Sequence, residues 1–304
     1  MPLPADNTDQ GKSRGDHPRH AASVSAVSPG DRRPLTWTDD KVCRTEDGRE
    51  FPVVEGIPLL LDEERLGEAH KSVMEYYANE AIVYNRSHGG DLCGTEYNIR
   101  RYYRRLFDKY IPRGGRVLEF GAGTGRFSRI FKEIAGELYL TDLSIEMLLN
   151  NPETSCPRVC ADTEQIPFPD GSFDCCVGVT TFSYVPDKKA AIRELHRVLR
   201  PGGVLLIVDQ HQRSFIKSIA ALIYLKHREK NRIAPVRDSH LPYLTALFAD
   251  NGFKIEERGI VSFIPHAFGR LLTTVFTPVD FILSHTPYVK NKGMRLYIAG
   301  RCEK

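Results

Sequence analysis

Apolar positions are sparse up to about residue 35 and then organise into short runs separated by amphipathic stretches. The clearest run is Arg116-Val-Leu-Glu-Phe120, which stops at an acid and passes into Gly121, Gly123 and Gly125 at alternate positions. Phe127, Ile130, Phe131 and Ile134 then recur at helical spacing, so the pattern predicts strand, tight glycine turn and helix. The same alternation continues downstream. Glu137-Leu-Tyr-Leu-Thr141, Arg158-Val-Cys-Ala161, Phe173 to Val179 and Val204 to Val208 read as strands. Between them Ser144 and Asp187 stand where helix caps are expected, their side-chain oxygens free to accept first-turn N–H groups. Ile192, Leu195 and Leu199 form one buried stripe, ended by Pro201-Gly202-Gly203. Short apolar strands alternating with helices predict an α/β fold with a doubly wound, mostly parallel sheet and helices on both faces. Further strands are expected at Lys254 to Arg258 and Met294 to Gly300.

The glycine turn alone leaves two ligands open. A dinucleotide fingerprint wants G-x-G-x-x-G, whereas this order is G-x-G-x-G with Arg126 at the place of the last glycine. Ligands of such sheets sit outside the carboxyl ends of the strands. Glu119, Asp142, Asp162 and Asp209 each end a predicted strand on that edge. Asp142 follows the turn by about twenty residues, the reach from which a carboxylate accepts ribose hydroxyls, and Asp162 is placed to accept from an exocyclic amine of adenine. A hollow lined with acids suits a cationic nucleoside better than a pyrophosphate.

Composition narrows the field. A net charge of +3 over 304 residues is too mild to imply nucleic acid. Seven scattered cysteines, odd in number, fit reduced thiols and a cytoplasmic setting. Cys156 and Cys160 have no second pair to complete a metal site, so none is expected. No apolar run approaches the ~20 residues needed to span a bilayer. Residues 1–34, rich in Pro, Gly, Ser, Asp and Arg, are expected to be a disordered tail.

Several of these stretches together resemble a known family. Val117 to Ser128, Asp142-Leu-Ser144, Ala161-Asp-Thr-Glu-Gln-Ile-Pro-Phe168, Phe173-Asp174 and Leu199-Arg-Pro-Gly-Gly203 are similar to the motifs of class I S-adenosylmethionine-dependent methyltransferases, specifically the type-11 group with ubiquinone and menaquinone biosynthesis enzymes. The resemblance implies S-adenosyl-L-methionine as cofactor and a seven-stranded sheet whose last strand is antiparallel. It implies that Glu119, Gly121, Gly123 and Gly125 hold the methionine part, Asp142 the ribose, Leu143 and Met147 the adenine face, and Asp162 with Thr163 the adenine edge. Thr180 and Thr181 would line the methyl-transfer end. Where many relatives have a histidine after the fourth strand, this chain has Tyr184.

Residues 35–64 form a further expected unit. Phe51-Pro-Val-Val-Glu-Gly-Ile-Pro-Leu-Leu-Leu61 resembles the second half of a zinc-ribbon module that activates some methyltransferases, although only Cys43 lies nearby, so zinc is not carried over. Residues 65–304 would be the methyltransferase domain, with a helical cap at 65–112 and apolar insertions at 213–235 and 260–290. Both insertions are expected to roof an acceptor pocket, which implies a small hydrophobic acceptor methylated on oxygen or carbon. The basic, apolar first insertion also suits peripheral contact with an anionic membrane. If the acceptor atom is a hydroxyl, a general base helps, and His211, just past Asp209, and Tyr184 are the candidates. The rival readings are a catalytically silent partner subunit of the same fold and a NAD-dependent oxidoreductase.

Overall fold

A computed structural model describes residues 25–37, 41–88, 93–211, 239–264, 269–287 and 289–304. The described strands form one sheet of eleven. The first four are β1 (Leu35–Trp37), β2 (Val42–Thr45), β3 (Glu50–Val54) and β4 (Ile57–Leu60). The remaining seven are β5 (Arg116–Phe120), β6 (Glu137–Asp142), β7 (Arg158–Ala161), β8 (Phe173–Val179), β9 (Leu199–Gln210), β10 (Phe253–Val261) and β11 (Arg295–Cys302). Their order across the sheet is β1-β2-β3-β4-β7-β6-β5-β8-β9-β11-β10. Strands β5 to β9 are mutually parallel, and β11 is inserted antiparallel between β9 and β10. The direction of strand order reverses between β5 and β8, which makes the ends of these two strands the expected ligand crevice.

The central strands are hydrophobic on both faces because helices cover both sides. Leu118 and Phe120 of β5 pack into a cluster with Phe168, Phe173, Phe182, Ile192 and Leu195. Val117, from the same strand, packs oppositely with Phe107, Phe127, Phe131 and Val177. The helices are α1 (Glu68–His88), α2 (Cys93–Asn98), α3 (Arg104–Tyr110), α4 (Ser128–Ile134), α5 (Ile145–Leu149), α6 (Lys188–Val198), α7 (Leu241–Asp250) and α8 (Arg270–His285), with a π-helical turn at Ile99–Tyr103. Both expected caps form. Ser144 Oγ accepts from Met147 N at 3.3 Å, and Asp187 Oδ1 accepts from Lys189 N and Ala190 N at 2.9 and 3.0 Å.

The sheet is larger than the seven strands expected, because the N-terminal segment joins it. Strands β1 to β4 form an antiparallel meander, turned between β3 and β4 by Glu55 and Gly56, both at positive φ as a tight hairpin turn requires. Leu59 and Leu60 of β4 then pair in parallel with Cys160 and Ala161 of β7. The ribbon therefore closes an edge that would otherwise offer unpaired backbone groups. Order also begins before residue 35, contrary to the tail expected over 1–34: Ala26 and Val27 are buried, and Val27 N donates to Pro167 O at 3.0 Å. The insertion at 213–235 lies outside the described residues, apart from which the second insertion is mainly α8.

Candidate functional site

The cleft at the β5/β8 crevice is lined by Gly121, Ala122, Gly123, Thr124, Arg126 and Phe127 from the glycine turn and by Asp142 and Met147 from the β6–α5 connection. Val179, Thr180, Thr181 and Tyr184 close it from the end of β8, and Val73 and Tyr77 of α1 cover it. Its volume is about 80 Å³, and it is partly open to solvent. A larger hollow, about 760 Å³, opens at the opposite edge, where the parallel strands begin; its charged side chains are paired, Arg116 with Glu137, Lys132 with Glu153 and Arg200 with Asp174.

Steric demands explain the glycines. Gly121, Gly123 and Gly125 have φ of 65°, 55° and 81°, conformations that side chains disfavour. A Cβ on Gly121 would lie 1.9 Å from Thr181 Oγ1, and one on Gly125 would lie 2.5 Å from Asn151 Oδ1. The turn and the loop after β8 thus touch without a side chain between them. Thr180 itself holds a φ of 56°, uncommon for a β-branched residue and a form of strain that concentrates at functional sites.

Two carboxyl groups stand under this turn. Asp142 Oδ2 accepts from Gly123 N at 2.8 Å, and Oδ1 accepts from Ser144 N at 2.9 Å. Burial nevertheless pushes its carboxyl up to about 6, against the opposing pull of the Ser144, Gly123 and Leu143 N–H groups. Glu119 is 2 % exposed, and its Oε2 has no hydrogen-bond partner. Burial pushes it up to about 8; the Ser128 hydroxyl opposes that and the charge of Asp142 adds to it. Both acids lose their protons less readily than free carboxyls, Glu119 far more so than Asp142, because ionising them in a dry crevice is costly. A cation delivered to the glycine turn would reverse that preference.

The other expected residues are distributed more widely. Leu143 precedes the helix that carries Met147, and its carbonyl accepts from Cys160 Sγ at 3.5 Å. Glu119, Gly125, Leu143, Asp162 and Thr163 are not among the residues lining the cleft. Asp162 Oδ2 and Glu164 Oε1 each lie 3.2 Å from Nε2 of His70, near the start of α1. The Asp162 and Glu164 carboxylates raise the His70 imidazole to about 10 despite its burial. This ion pair fastens the helix that covers the cleft, and the sequence reading had no signal for it because 92 residues separate His70 from Asp162. Among the described residues these three are also the group of His and acid side chains whose atoms approach within metal-binding range of one another, and the ion pair accounts for them.

Asp209 does not join the row of acids facing the ligand. It is buried, with Oδ2 accepting from Ser183 N at 2.5 Å and Oδ1 from Ser183 Oγ at 3.0 Å and Gln210 N at 2.6 Å. It holds the loop that carries Tyr184 instead. His211 is likewise buried behind the rim, its Nδ1 3.0 Å from Gly293 O, and it does not line the cleft. Tyr184 does. Its hydroxyl accepts from Gln210 Nε2 at 3.3 Å, and its ring meets Tyr77 edge-on with centroids 5.5 Å apart.

Residues 118–207 match a family described as a methyltransferase domain. Over 152 residues the chain is 36 % identical to the ubiquinone/menaquinone biosynthesis C-methyltransferase UbiE of Pseudomonas paraeruginosa, a match covering 46 % of this chain and 58 % of that one. The chain thus spans little more than half the length of this curated relative. Among solved structures it is similar to the 4+2 cyclase SpnF, with a TM-score of 0.56 and 18 % identity over 76 % of this chain and 95 % of that one. A Haemonchus contortus phosphoethanolamine N-methyltransferase 2, solved with phosphomonomethylethanolamine and S-adenosylhomocysteine, matches with a TM-score of 0.52 and 16 % identity over 81 % and 62 % of the two chains. Residues 118–207 thus match the methyltransferase-domain family and are similar in sequence to the UbiE type, in a chain that shares its doubly wound fold with these solved structures.

Proposed function

We propose that the protein transfers a methyl group from S-adenosyl-L-methionine to a small hydrophobic acceptor. The observation that carries this reading is the buried Glu119 carboxyl, with Oε2 unpartnered, beneath a glycine turn that also holds Asp142. A buried acid with an open acceptor position is costly unless a donor or a cation fills it. S-Adenosylmethionine brings an ammonium and a sulfonium, and supplies an electrophilic methyl on a sulfur that is already a good leaving group.

Glu119 and the turn from Gly121 to Gly125 would hold the methionine part, Asp142 the ribose, and Leu143 and Met147 the adenine face. For Asp162 the adenine-edge role competes with its ion pair to His70. The chain's remaining task is to set an acceptor atom within about 3–3.5 Å of the methyl and to exclude water. Val73, Tyr77, Phe127, Val179 and Tyr184 give this part of the cleft apolar and aromatic walls, which suits an apolar acceptor. The UbiE relatives are named as C-methyltransferases, which favours carbon as the acceptor atom. Tyr184, which lines the cleft while His211 is held behind the rim by Gly293 O, is the better candidate for touching the acceptor.

Calorimetric titration with S-adenosylhomocysteine tests the cofactor half. Wild type should bind, and Asp142→Ala should bind about 10- to 150-fold more weakly, the equivalent of roughly 1.5–3 kcal/mol for charge-assisted hydrogen bonds. Labelled methyl transfer to quinone precursors and to an apolar extract tests the other half. Preference for NAD would return the oxidoreductase reading, and cofactor binding with no transfer to any acceptor would leave the silent-subunit reading standing.

A further inference from the structure

Helix α8 is built inside out. Leu271, Leu272, Val275, Phe276, Val279, Phe281 and Ile282 are 77, 47, 58, 40, 43, 53 and 63 % exposed, whereas the residues it buries are Thr273 and Asp280. Apart from Val54, these are all the exposed large hydrophobic side chains among the described residues. Spacings of four and three place Leu271, Val275, Val279 and Ile282 on one stripe, with Leu272 and Phe276 beside it. Contiguous apolar surface of this kind marks an interaction site.

The orientation is fixed from the buried side. Asp280 Oδ2 accepts from the hydroxyls of Tyr97, at 2.7 Å, and Tyr102, and Oδ1 accepts from Phe263 N at 2.6 Å. Turning the apolar stripe inward would strip a buried carboxylate of three donors. The stripe is thus held outward by a polar anchor.

Charge identifies what it faces. Arg270 is the helix's exposed ionic residue, and the helix exposes no acid. At its side Arg101 lies over the Phe281 ring, 5.6 Å from the centroid, with exposed Arg100 adjacent, and Lys292 is exposed beyond its C-terminal end. Among the described residues of α2 the exposed acid is Glu96, and it is paired with Arg100 at 2.6 Å. Apolar and aromatic side chains framed by cations are the signature of a helix lying in the interface of an anionic bilayer. No described helix is long and apolar enough to cross a membrane, so α8 would lie in the plane.

We propose that α8 docks the protein on anionic lipid, with Leu271, Val275, Val279 and Ile282 entering the acyl boundary and Arg101 and Arg270 at the headgroups. Strand β10 ends on the same sheet edge as the glycine turn, and Asn98 Nδ2 ties the residues just after it to the cap by donating to Ile264 O at 3.0 Å. A hydrophobic acceptor dissolved in the bilayer would then reach the cleft region without crossing bulk water. The docking surface deepens the hydrophobic-acceptor reading for its purpose, but its evidence is independent of methyl transfer.

The experiment is cosedimentation of the full chain with vesicles of phosphatidylcholine alone and of phosphatidylcholine with phosphatidylglycerol. Wild type should partition onto the anionic vesicles, at least ten-fold more strongly than onto neutral ones, and should be released in part by about 1 M salt, where the Debye length falls to ~3 Å. Leu271→Ser with Ile282→Ser should cut the partition at least ten-fold while S-adenosylhomocysteine binding and circular dichroism stay unchanged, since neither side chain packs inside. Wild type remaining in the supernatant, or a variant that sediments equally, overturns the proposal. A dimer in light scattering that the same variant splits would give the face to a second copy instead and would also overturn it. Membrane binding without methyl transfer would sink only the catalytic reading.

Discussion

Glu119 and Asp280 are both carboxyl groups at most 2 % exposed, in the same chain, and they are treated in opposite ways. Asp280 receives three donors, two tyrosine hydroxyls and a backbone N–H. Glu119 has an oxygen with none, and its carboxyl is driven up to about 8. A buried acid that its own fold satisfies is part of the architecture. One that the fold leaves open points to a group arriving from outside. Asp209, fully engaged by Ser183 and Gln210, falls on the architectural side although the sequence sets it in the same row of strand-ending acids as Glu119.

The largest effect expected from this contrast is in stability. Asp280→Ala leaves Tyr97 Oη, Tyr102 Oη and Phe263 N without their acceptor, and each stranded donor costs about 1–3 kcal/mol. Urea denaturation should show a loss of roughly 3–5 kcal/mol, less than the full sum because water reaches the two tyrosines. Glu119→Gln should change stability at pH 7 by under about 1 kcal/mol, because Gln is a near-isostere of the protonated acid already present. If the two variants lose equal stability, the distinction between open and satisfied acids fails.

What the sequence disclosed follows the same division. The strand, turn and helix around Gly121, the end of β6 at Asp142 and the caps at Ser144 and Asp187 depend on neighbours within a few residues, so periodicity and local hydrogen bonding reveal them. The apolar stripe of α8 was legible too, but its facing was not: a stripe predicts burial, and only the partners of Asp280, 178 and 183 residues away, turn it outward. The pairing of β4 with β7 and the ion pair of His70 with Asp162 and Glu164 were hidden for the same reason. Tyr77 and Val73 over the cleft belong to the helical cap expected at 65–112, yet nothing local says which surface that helix covers.

The middle effect is on pH dependence. The folded-state value of Glu119 is raised, so its contribution to stability is fully present below its ordinary value near 4.5 and is lost as pH rises through about 8. Asp142, raised to about 6, acts in the same direction over about 3.8 to 6. The ligand-free protein should therefore lose stability between pH 4.5 and 8, and Glu119→Gln should remove the upper part of that slope. A cationic ligand favours the ionised acid, so binding should release a proton. Titrations near pH 7 in buffers of different ionisation enthalpy should show release in wild type and much less in Glu119→Gln. Equal release in both would detach Glu119 from the ligand.

The smallest effect concerns Thr180, which belongs to the open side of the contrast through its backbone rather than its charge. A β-branched residue at φ 56° carries strain of about 1–3 kcal/mol, held in place by Thr180 N donating to Val208 O at 2.7 Å and by the close fit of Thr181 against Gly121. Thr180→Gly relieves that strain but gives back roughly 0.5–1 kcal/mol in unfolded-chain entropy. The net expectation is a gain of up to about 1 kcal/mol in chemical denaturation. If the strained turn is there to present Thr180 to the cleft, the same variant should weaken S-adenosylhomocysteine binding or slow methyl transfer even as it stabilises the fold. Stability gained with no change in either would make Thr180 a packing compromise, and stability lost would show that its side chain contributes more than its backbone costs.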